Sequence, residues 1–114
     1  MMKQFIEYLD NNMRSTVLKR AAELVNNDRE NSYGTPEENL GTTARYWGVH
    51  LGIRLEAHDV ATMMELAKIA RRKAQPTYED NWTDAAGYAA LGYEVANCLE
   101  KLDETAPKIP LKKR

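Results

Sequence analysis

Charged side chains that could bind an anion are concentrated between residues 59 and 91, where the apolar spacing predicts two helices joined by a short turn. On a helical wheel, Arg71 falls between Val60 and Met64, on the shoulder of the apolar face. Lys68 lies about 60° further round the same helix. Both cations are therefore expected beside the line along which this helix packs against its neighbour.

The second helix of the pair carries acidic and aromatic side chains on one face, because Asp80, Asp84 and Tyr88 are spaced about one turn apart. If the two helices pack antiparallel, Lys68 and Arg71 approach Asp84 and Tyr88. Two cations backed by carboxylates and a tyrosine are suited to holding a phosphate or a similar anion. A network of ion pairs that only holds the two helices together is the competing interpretation.

A polar loop at residues 28–34 is a second candidate for ligand binding. It contains the cation Arg29 and also Tyr33, whose ring can lie over a base or against a neighbouring helix. The helix that begins after Thr35 offers free backbone N–H groups to an anion, although glutamates already occupy that position. Trp47, on the same helix, is another candidate for stacking on a base. A capped turn without a ligand is the competing interpretation here.

The spacing of the carboxylates predicts a metal site less strongly than the spacing of the cations predicts an anion site. Magnesium sites of phosphate chemistry can pair Glu-x-x-Glu with Glu-x-x-Asp on a facing helix. The first pattern is absent, and the second occurs at residues 7–10, 56–59 and 100–103. Asp80 and Asp84, with Glu38 or Glu65 as a third ligand, are the metal candidates. No cofactor is predicted as a necessary component, and Mg²⁺ enters only if the protein is an enzyme.

No residue is assigned a catalytic role. The sequence contains no glycine-rich phosphate loop, no nucleophile elbow and no Cys/His dyad. His50 and His58 lack the spacing of zinc ligands and are expected on the surface or at helix ends. Cys98 lies among apolar residues, so core packing is its expected role.

Helix-start and helix-stop signals predict an all-α, single-domain bundle of four or five helices. Ser15 is the expected N-cap of one helix. Thr35 and Glu38 form a capping-box pattern around Pro36 at the start of the next helix, and Gly52 is the expected stop. The sequence shows no strand pattern and no internal repeat.

The two central helices are expected to run from near Ala57 to the residues before Pro76, and from Tyr78 to Asp103, with Thr77 as the second N-cap. The last helix bears a stripe of small residues that would allow close approach to another helix, within the chain or in a second copy. The stripe consists of Ala85, Ala89, Gly92 and Ala96. Self-association as a twofold dimer is expected.

Length and composition limit the class of protein. A chain of 114 residues supports one domain, which we divide into an N-terminal helical extension (1–14), a bundle (15–104) and a flexible basic tail (105–114). A net charge of −1 argues against general nucleic-acid binding. The single cysteine fits a reducing cytoplasm, and no apolar run is long enough to span a membrane. A cytoplasmic protein is expected, in the host cell if a phage encodes it.

Several motifs together resemble a domain family of unknown function that is common in tailed-phage and prophage proteins. The resemblance covers roughly residues 20–96. The matching segments are Asp28-Arg29-Glu30, Tyr33-Gly34-Thr35-Pro36-Glu37-Glu38-Asn39, Trp47, Asp59-Val60-Ala61, Lys68-Ile69-Ala70-Arg71 and Asp84-Ala85-Ala86-Gly87-Tyr88. The resemblance implies a phage-type protein and brings no established activity with it.

The helical pair that contains Asp84 is more distantly similar to the MazG-like all-α nucleoside triphosphate pyrophosphohydrolases. That similarity implies a MazG-like helix arrangement with a nucleotide and Mg²⁺ near Asp84, and only Asp84 and Glu65 carry over. Lys68 stands where that group would have a second carboxylate, which favours direct phosphate binding. The leading hypothesis is thus a protein that binds a nucleotide-like phosphate ligand through Lys68, Arg71 and Asp84, and sequestration of a signalling nucleotide is one form of this hypothesis. A Mg²⁺-dependent pyrophosphohydrolase and a non-catalytic structural or regulatory protein are the alternatives.

Overall fold

Four α-helices form the computed structural model of the protein, which describes residues 2, 12–28 and 34–98. In chain order they are α1 (Met13–Glu23), α2 (Pro36–Leu51), α3 (Ala57–Arg71) and α4 (Glu79–Ala96). A π-helical turn at Leu24–Asp28 continues α1. The predicted all-α helical bundle is confirmed. The predicted tail at 105–114 and most of the predicted extension at 1–14 lie outside the described residues.

The start of α1 differs from the sequence prediction. Asn12, rather than Ser15, is the N-cap, and its side-chain Oδ1 accepts hydrogen bonds from the backbone N–H groups of Arg14 (3.1 Å) and Ser15 (3.3 Å). Asparagine is at least as good a cap as serine, so the earlier residue starts the helix and Ser15 lies within its first turn.

Both ends of α2 are as predicted. Thr35 Oγ1 accepts a hydrogen bond from the N–H of Glu38 (3.2 Å), and Glu38 Oε2 accepts one from the N–H of Thr35 (3.4 Å), which completes the capping box. Gly52 ends the helix with φ of 73°, a left-handed conformation that glycine adopts without strain. Leu40 and Ala44 are buried on the face of α2 that points to the core.

Helices α3 and α4 form an antiparallel hairpin in a single register. Near the turn, Lys68 contacts Asp84 and Arg72 contacts Asn81. At the other end Gly92 lies against Ala61, so closely that a Cβ on Gly92 would be 3.2 Å from that of Ala61. The small residue of α4 is therefore used inside the chain, where it lets the two helices approach.

The turn between α3 and α4 departs from the prediction at its cap. Tyr78, not Thr77, is the N-cap of α4, and no side chain of the described residues forms a capping hydrogen bond there. The tyrosine hydroxyl donates instead to Asp80 Oδ2 at 3.1 Å. Helix α4 ends at Ala96 and residues 97–98 form a turn, so the helix that was predicted to reach Asp103 ends earlier. Residues 99–103 lie outside the described residues.

The core lies where α2, α3 and α4 meet. Its buried members are Leu40, Ala44, Ala57, Val60, Ala61, Leu91 and Val95. Helix α1 packs on another face of α4, where Gly87 approaches Val25. None of the four helices has the length and apolarity that crossing a bilayer requires. Helix α4 contacts each of the other three helices, and α3 and α4 together carry the predicted site residues Lys68, Arg71, Asp84 and Tyr88.

Candidate functional site

An ion pair between α3 and α4 lies at the centre of the site. The ammonium Nζ of Lys68 is 2.9 Å from Asp84 Oδ2, and the two side chains are only 17% and 29% exposed. The contact follows from the antiparallel hairpin, which brings the last turns of α3 alongside the second turn of α4. The predicted approach of Lys68 to Asp84 is confirmed.

Two further polar residues extend this ion pair toward the turn. The hydrogen bond from Tyr78 to Asp80 raises the pKa of Tyr78 above its ordinary value, and the negative charge of Asp80 adds to the rise. The carboxylate of Asp84 also raises the pKa of Tyr78, whereas the charge of Lys68 lowers it. The four side chains thus share one electrostatic environment, and we call Lys68, Tyr78, Asp80 and Asp84 the seam cluster.

Arg72, for which the sequence predicted no role, is the arginine at the end of α3 that contacts α4. Its guanidinium carbon lies 3.9 Å from the centroid of the Trp82 ring, and its Nη2 is 3.5 Å from the carbonyl oxygen of Asn81. The ring is fixed in turn, because Trp82 Nε1 donates to the carbonyl of Pro76 at 2.9 Å. A cation on an indole face is an attractive interaction in its own right.

Arg71 does not approach Asp84 as predicted. The arginine is exposed, and its side chain forms no ion pair or hydrogen bond with the parts of the chain that the structure describes. The reason is geometric: α3 ends at Arg71, and the backbone turns over residues 72–74. A helical wheel assumes that the helix and its neighbour continue beyond Arg71. In the structure the chain turns there, and Arg72 rather than Arg71 contacts α4.

Two donor atoms at this end of the hairpin lack acceptors. Arg72 Nε and Asn81 Nδ2 are buried and form no hydrogen bond with any described residue. Asn81 is 2% exposed and precedes Asp84 by about one turn, on the side of α4 that faces α3. An unpaired buried donor costs about 1–3 kcal/mol, so this pair of donors requires an explanation. An acceptor-rich group bound between them would supply one.

Comparison with known proteins places this hairpin inside a family. A family model described as a domain of unknown function (DUF6378) matches residues 16–96. The chain belongs to the DUF6378 family. It is also similar to the Gene 55 protein of Mycobacterium phage L5, with 37% identity over 100 residues, which is 83% of this chain and 60% of that protein. The Gene 55 protein of Mycobacterium phage D29 is 35% identical over 92 residues, 81% of this chain and 56% of that protein.

These relatives confirm the phage association that the motifs implied. The chain spans about three fifths of the length of the phage proteins that it matches. No solved structure matches it. The similarity to MazG-like enzymes stays a prediction, and the family description assigns no activity to any residue of the seam cluster.

The two predicted aromatic site residues that the structure describes are part of the packing of the fold. Trp47 and Tyr88 are both half-buried and pack against the core of this DUF6378 domain. Arg29 and Tyr33 lie outside the described residues. The exposed aromatic groups near the seam are Tyr78 and Trp82, which the sequence analysis missed because their neighbours across the turn are not visible in a linear pattern.

The carboxylates of Asp80 and Asp84, the predicted metal ligands, each interact with another side chain. Asp84 pairs with Lys68, and Asp80 accepts from Tyr78. Within residues 12–28 and 34–98 no three His, Cys, Asp or Glu side chains converge in a way that would hold a metal ion. Whether the protein uses Mg²⁺ stays a prediction.

The other reactive side chains lie away from the seam cluster. Cys98 is half-buried, and its Sγ lies 3.3 Å from Glu37 Oε1, so it links the end of α4 to the first turn of α2 rather than lying wholly in the core. His58 is half-buried, with Nδ1 enclosed and without a partner among the described residues, whereas His50 is exposed as predicted.

Proposed function

We propose that this domain binds a nucleotide or nucleotide-like phosphate compound at the turn end of the α3–α4 hairpin and sequesters it without turnover. The observation that carries the proposal is the set of donors there. The ammonium of Lys68 lies at the same end of the hairpin as two buried donors, Arg72 Nε and Asn81 Nδ2, that lack acceptors among the residues the structure describes. Phosphate oxygens are acceptors that bind ammonium and guanidinium groups strongly.

Charge supports the same ligand class. Lys68, Arg71, Arg72 and Lys73 place four cations within two turns of chain, and Arg71 is exposed and available to a ligand. Asp84 offsets part of this charge and holds the ammonium of Lys68 in position. A phosphate would then replace Asp84 as the partner of Lys68, or share the ammonium with it.

A nucleotide fits better than inorganic phosphate because of Trp82. The indole is 42% exposed, and the guanidinium of Arg72 lies on its ring. When Arg72 rotates toward a phosphate, it uncovers the indole face for a base. Stacking of a base on an aromatic ring contributes about 1–3 kcal/mol. In this arrangement the base takes the place of the guanidinium on the Trp82 ring. Arg72 Nε then donates a hydrogen bond to the phosphate.

The contacts of the carboxylates favour sequestration over hydrolysis. A Mg²⁺-dependent pyrophosphohydrolase would need Asp80 and Asp84 as metal ligands. In the seam cluster one carboxylate accepts from Tyr78 and the other from Lys68, so both interactions would have to break before a metal bound.

Calorimetric titration with a nucleotide panel tests the proposal. The panel contains nucleoside mono-, di- and triphosphates and cyclic dinucleotides, each with and without Mg²⁺, and the release of phosphate and of pyrophosphate is measured in parallel. We expect at least one compound to bind saturably without Mg²⁺ and without release of either product. Binding by none of them would refute the proposal, and Mg²⁺-dependent release of pyrophosphate or phosphate would establish the enzyme alternative instead.

Variants separate binding from stability. Lys68→Ala and Arg72→Ala should each weaken binding at least about tenfold, which corresponds to the loss of one charged contact. Arg54→Ala is the matched control, because it removes an exposed cation and its ion pair with Glu56 away from the seam. If Lys68→Ala lowered the melting temperature while binding stayed unchanged, the seam cluster would be a structural network that holds α3 and α4 together.

A further inference from the structure

Helix α3 has a second apolar face that the described residues of the chain leave exposed. Ala57, Val60 and Ala61 are buried against the core. Met63 and Leu66 are 37% and 56% exposed. Ala67 and Ala70 are exposed as well, and the spacing of these four residues at i, i+3, i+4 and i+7 defines one continuous strip on the helix. We call Met63, Leu66, Ala67 and Ala70 the α3 strip.

The order of large and small side chains makes the α3 strip complementary to itself. We propose that α3 packs antiparallel against α3 of a second copy of this chain, around a twofold axis between Leu66 and Ala67. This arrangement places Leu66 opposite Ala67 of the second copy and Met63 opposite its Ala70. Large side chains then meet small ones along the whole strip, which is the arrangement that fills an interface without voids.

Charge selects the antiparallel direction. Asp59 lies in the first turn of α3, and Lys73 lies just beyond its last turn. In the antiparallel pair the Asp59 end of each helix meets the Lys73 end of the other, so opposite charges flank the strip on both sides. A parallel pair would align like charges at each end, which is unfavourable. The opposed helix dipoles add to the same preference.

The α3 strip replaces the small-residue stripe of α4 as the surface for self-association. Ala85 is buried and Gly92 lies against Ala61, so these two residues are already used within one chain. The strip is also separate from the seam cluster, because Lys68 points to the opposite side of α3, toward α4. A result that refutes the dimer would therefore leave the proposed ligand site untouched, and the reverse also holds.

Sedimentation velocity over a range of concentrations tests the dimer. The wild-type chain should sediment as a dimer at micromolar to hundred-micromolar concentration, and Leu66→Glu should raise the dissociation constant at least about tenfold. Leu51→Glu is the matched control, because Leu51 is 53% exposed, nearly the same as Leu66, and lies at the end of α2. Ala70→Glu provides a second variant if Leu66→Glu does not fold. A wild-type monomer, or equal effects of the Leu66 and Leu51 variants, would overturn the proposal.

Cross-linking tests the register. In a Cys98→Ser background, Ala67→Cys places two thiols beside the proposed axis, and oxidation with diamide should join them. The two copies of Ala70→Cys would be offset along the helices by about 10 Å, from a rise of about 1.5 Å per residue. That offset exceeds the roughly 7 Å that a disulfide spans between Cα atoms. Faster cross-linking of Ala70→Cys than of Ala67→Cys would refute this register.

Discussion

Gly92 and Ala61 form a close approach between α4 and α3, since a methyl group on Gly92 would lie 3.2 Å from the Cβ of Ala61. Ala61 is buried, and its Cβ is fixed to the helix backbone and cannot rotate away. Gly92→Ala should therefore separate α3 from α4 and lower the free energy of unfolding by about 1–2 kcal/mol, despite the better helix propensity of alanine. Urea denaturation measures the change.

Gly87→Ala is the matched control for that substitution. A Cβ at position 87 would meet Val25 Cγ1 at 3.2 Å, but this atom is the end of a side chain that can turn. The gain in helix propensity, up to about 1 kcal/mol, should then be partly retained. A Gly92→Ala variant as stable as Gly87→Ala would show that the α3–α4 contact is looser than described.

The ion pair of Lys68 and Asp84 should contribute more to stability than an exposed pair does. A double-mutant cycle with Lys68→Met and Asp84→Asn is expected to give a coupling energy of about 0.5–1.5 kcal/mol, because both side chains are mostly shielded from solvent. The exposed pair Arg20 and Glu79, which joins α1 to α4, is the control and should give about 0.2–0.5 kcal/mol. Equal coupling in both pairs would contradict the shielding argument.

Tyr78 gives the seam cluster a dependence on alkaline pH. Its pKa is raised, above all by the hydrogen bond to Asp80, so the folded state holds this proton more tightly than the unfolded state. The stabilisation is complete below the ordinary tyrosine pKa of about 10 and is lost as pH rises through the raised value. Subtracting the absorbance titration of Tyr78→Phe from that of the wild type isolates the ionisation of the Tyr78 hydroxyl. In the Asp80→Asn variant the pKa of Tyr78 should be lower. A Tyr78 pKa unchanged by Asp80→Asn would disprove the assigned cause.

Thr83 is expected to be a site where a small substitution stabilises the fold. Its hydroxyl is buried, the residue is 2% exposed, and Oγ1 has no hydrogen-bond partner among the described residues. Thr83→Val removes the unpaired hydroxyl and keeps the branched shape, so thermal unfolding should show a stabilisation of about 1 kcal/mol. Thr43→Val is the control, since the Thr43 hydroxyl donates to the carbonyl of Asn39 at 3.0 Å and its loss should destabilise. A loss of stability in Thr83→Val would reveal a partner for the hydroxyl.

The sequence by itself determined the features that depend on residues three or four positions apart. Thr35 and Glu38 cap α2, and Gly52 ends it, because those interactions close within one turn of chain. The pairing of Lys68 with Asp84 was also predictable, since a short turn between two amphipathic helices leads to an antiparallel hairpin. The all-α bundle follows from the same periodicity.

Only the tertiary structure decided which residues on the same face of a helix contact a neighbouring helix. A helical wheel treats Arg71 as part of the packed face, but α3 ends there and the turn directs Arg72 onto Trp82 instead. The wheel likewise places Val60 on the apolar face of α3 without showing that α2 and α4 cover Val60 and leave Leu66 exposed. Local spacing specifies which side chains share a face, whereas the length of each helix and the position of its neighbours determine which of those side chains are covered.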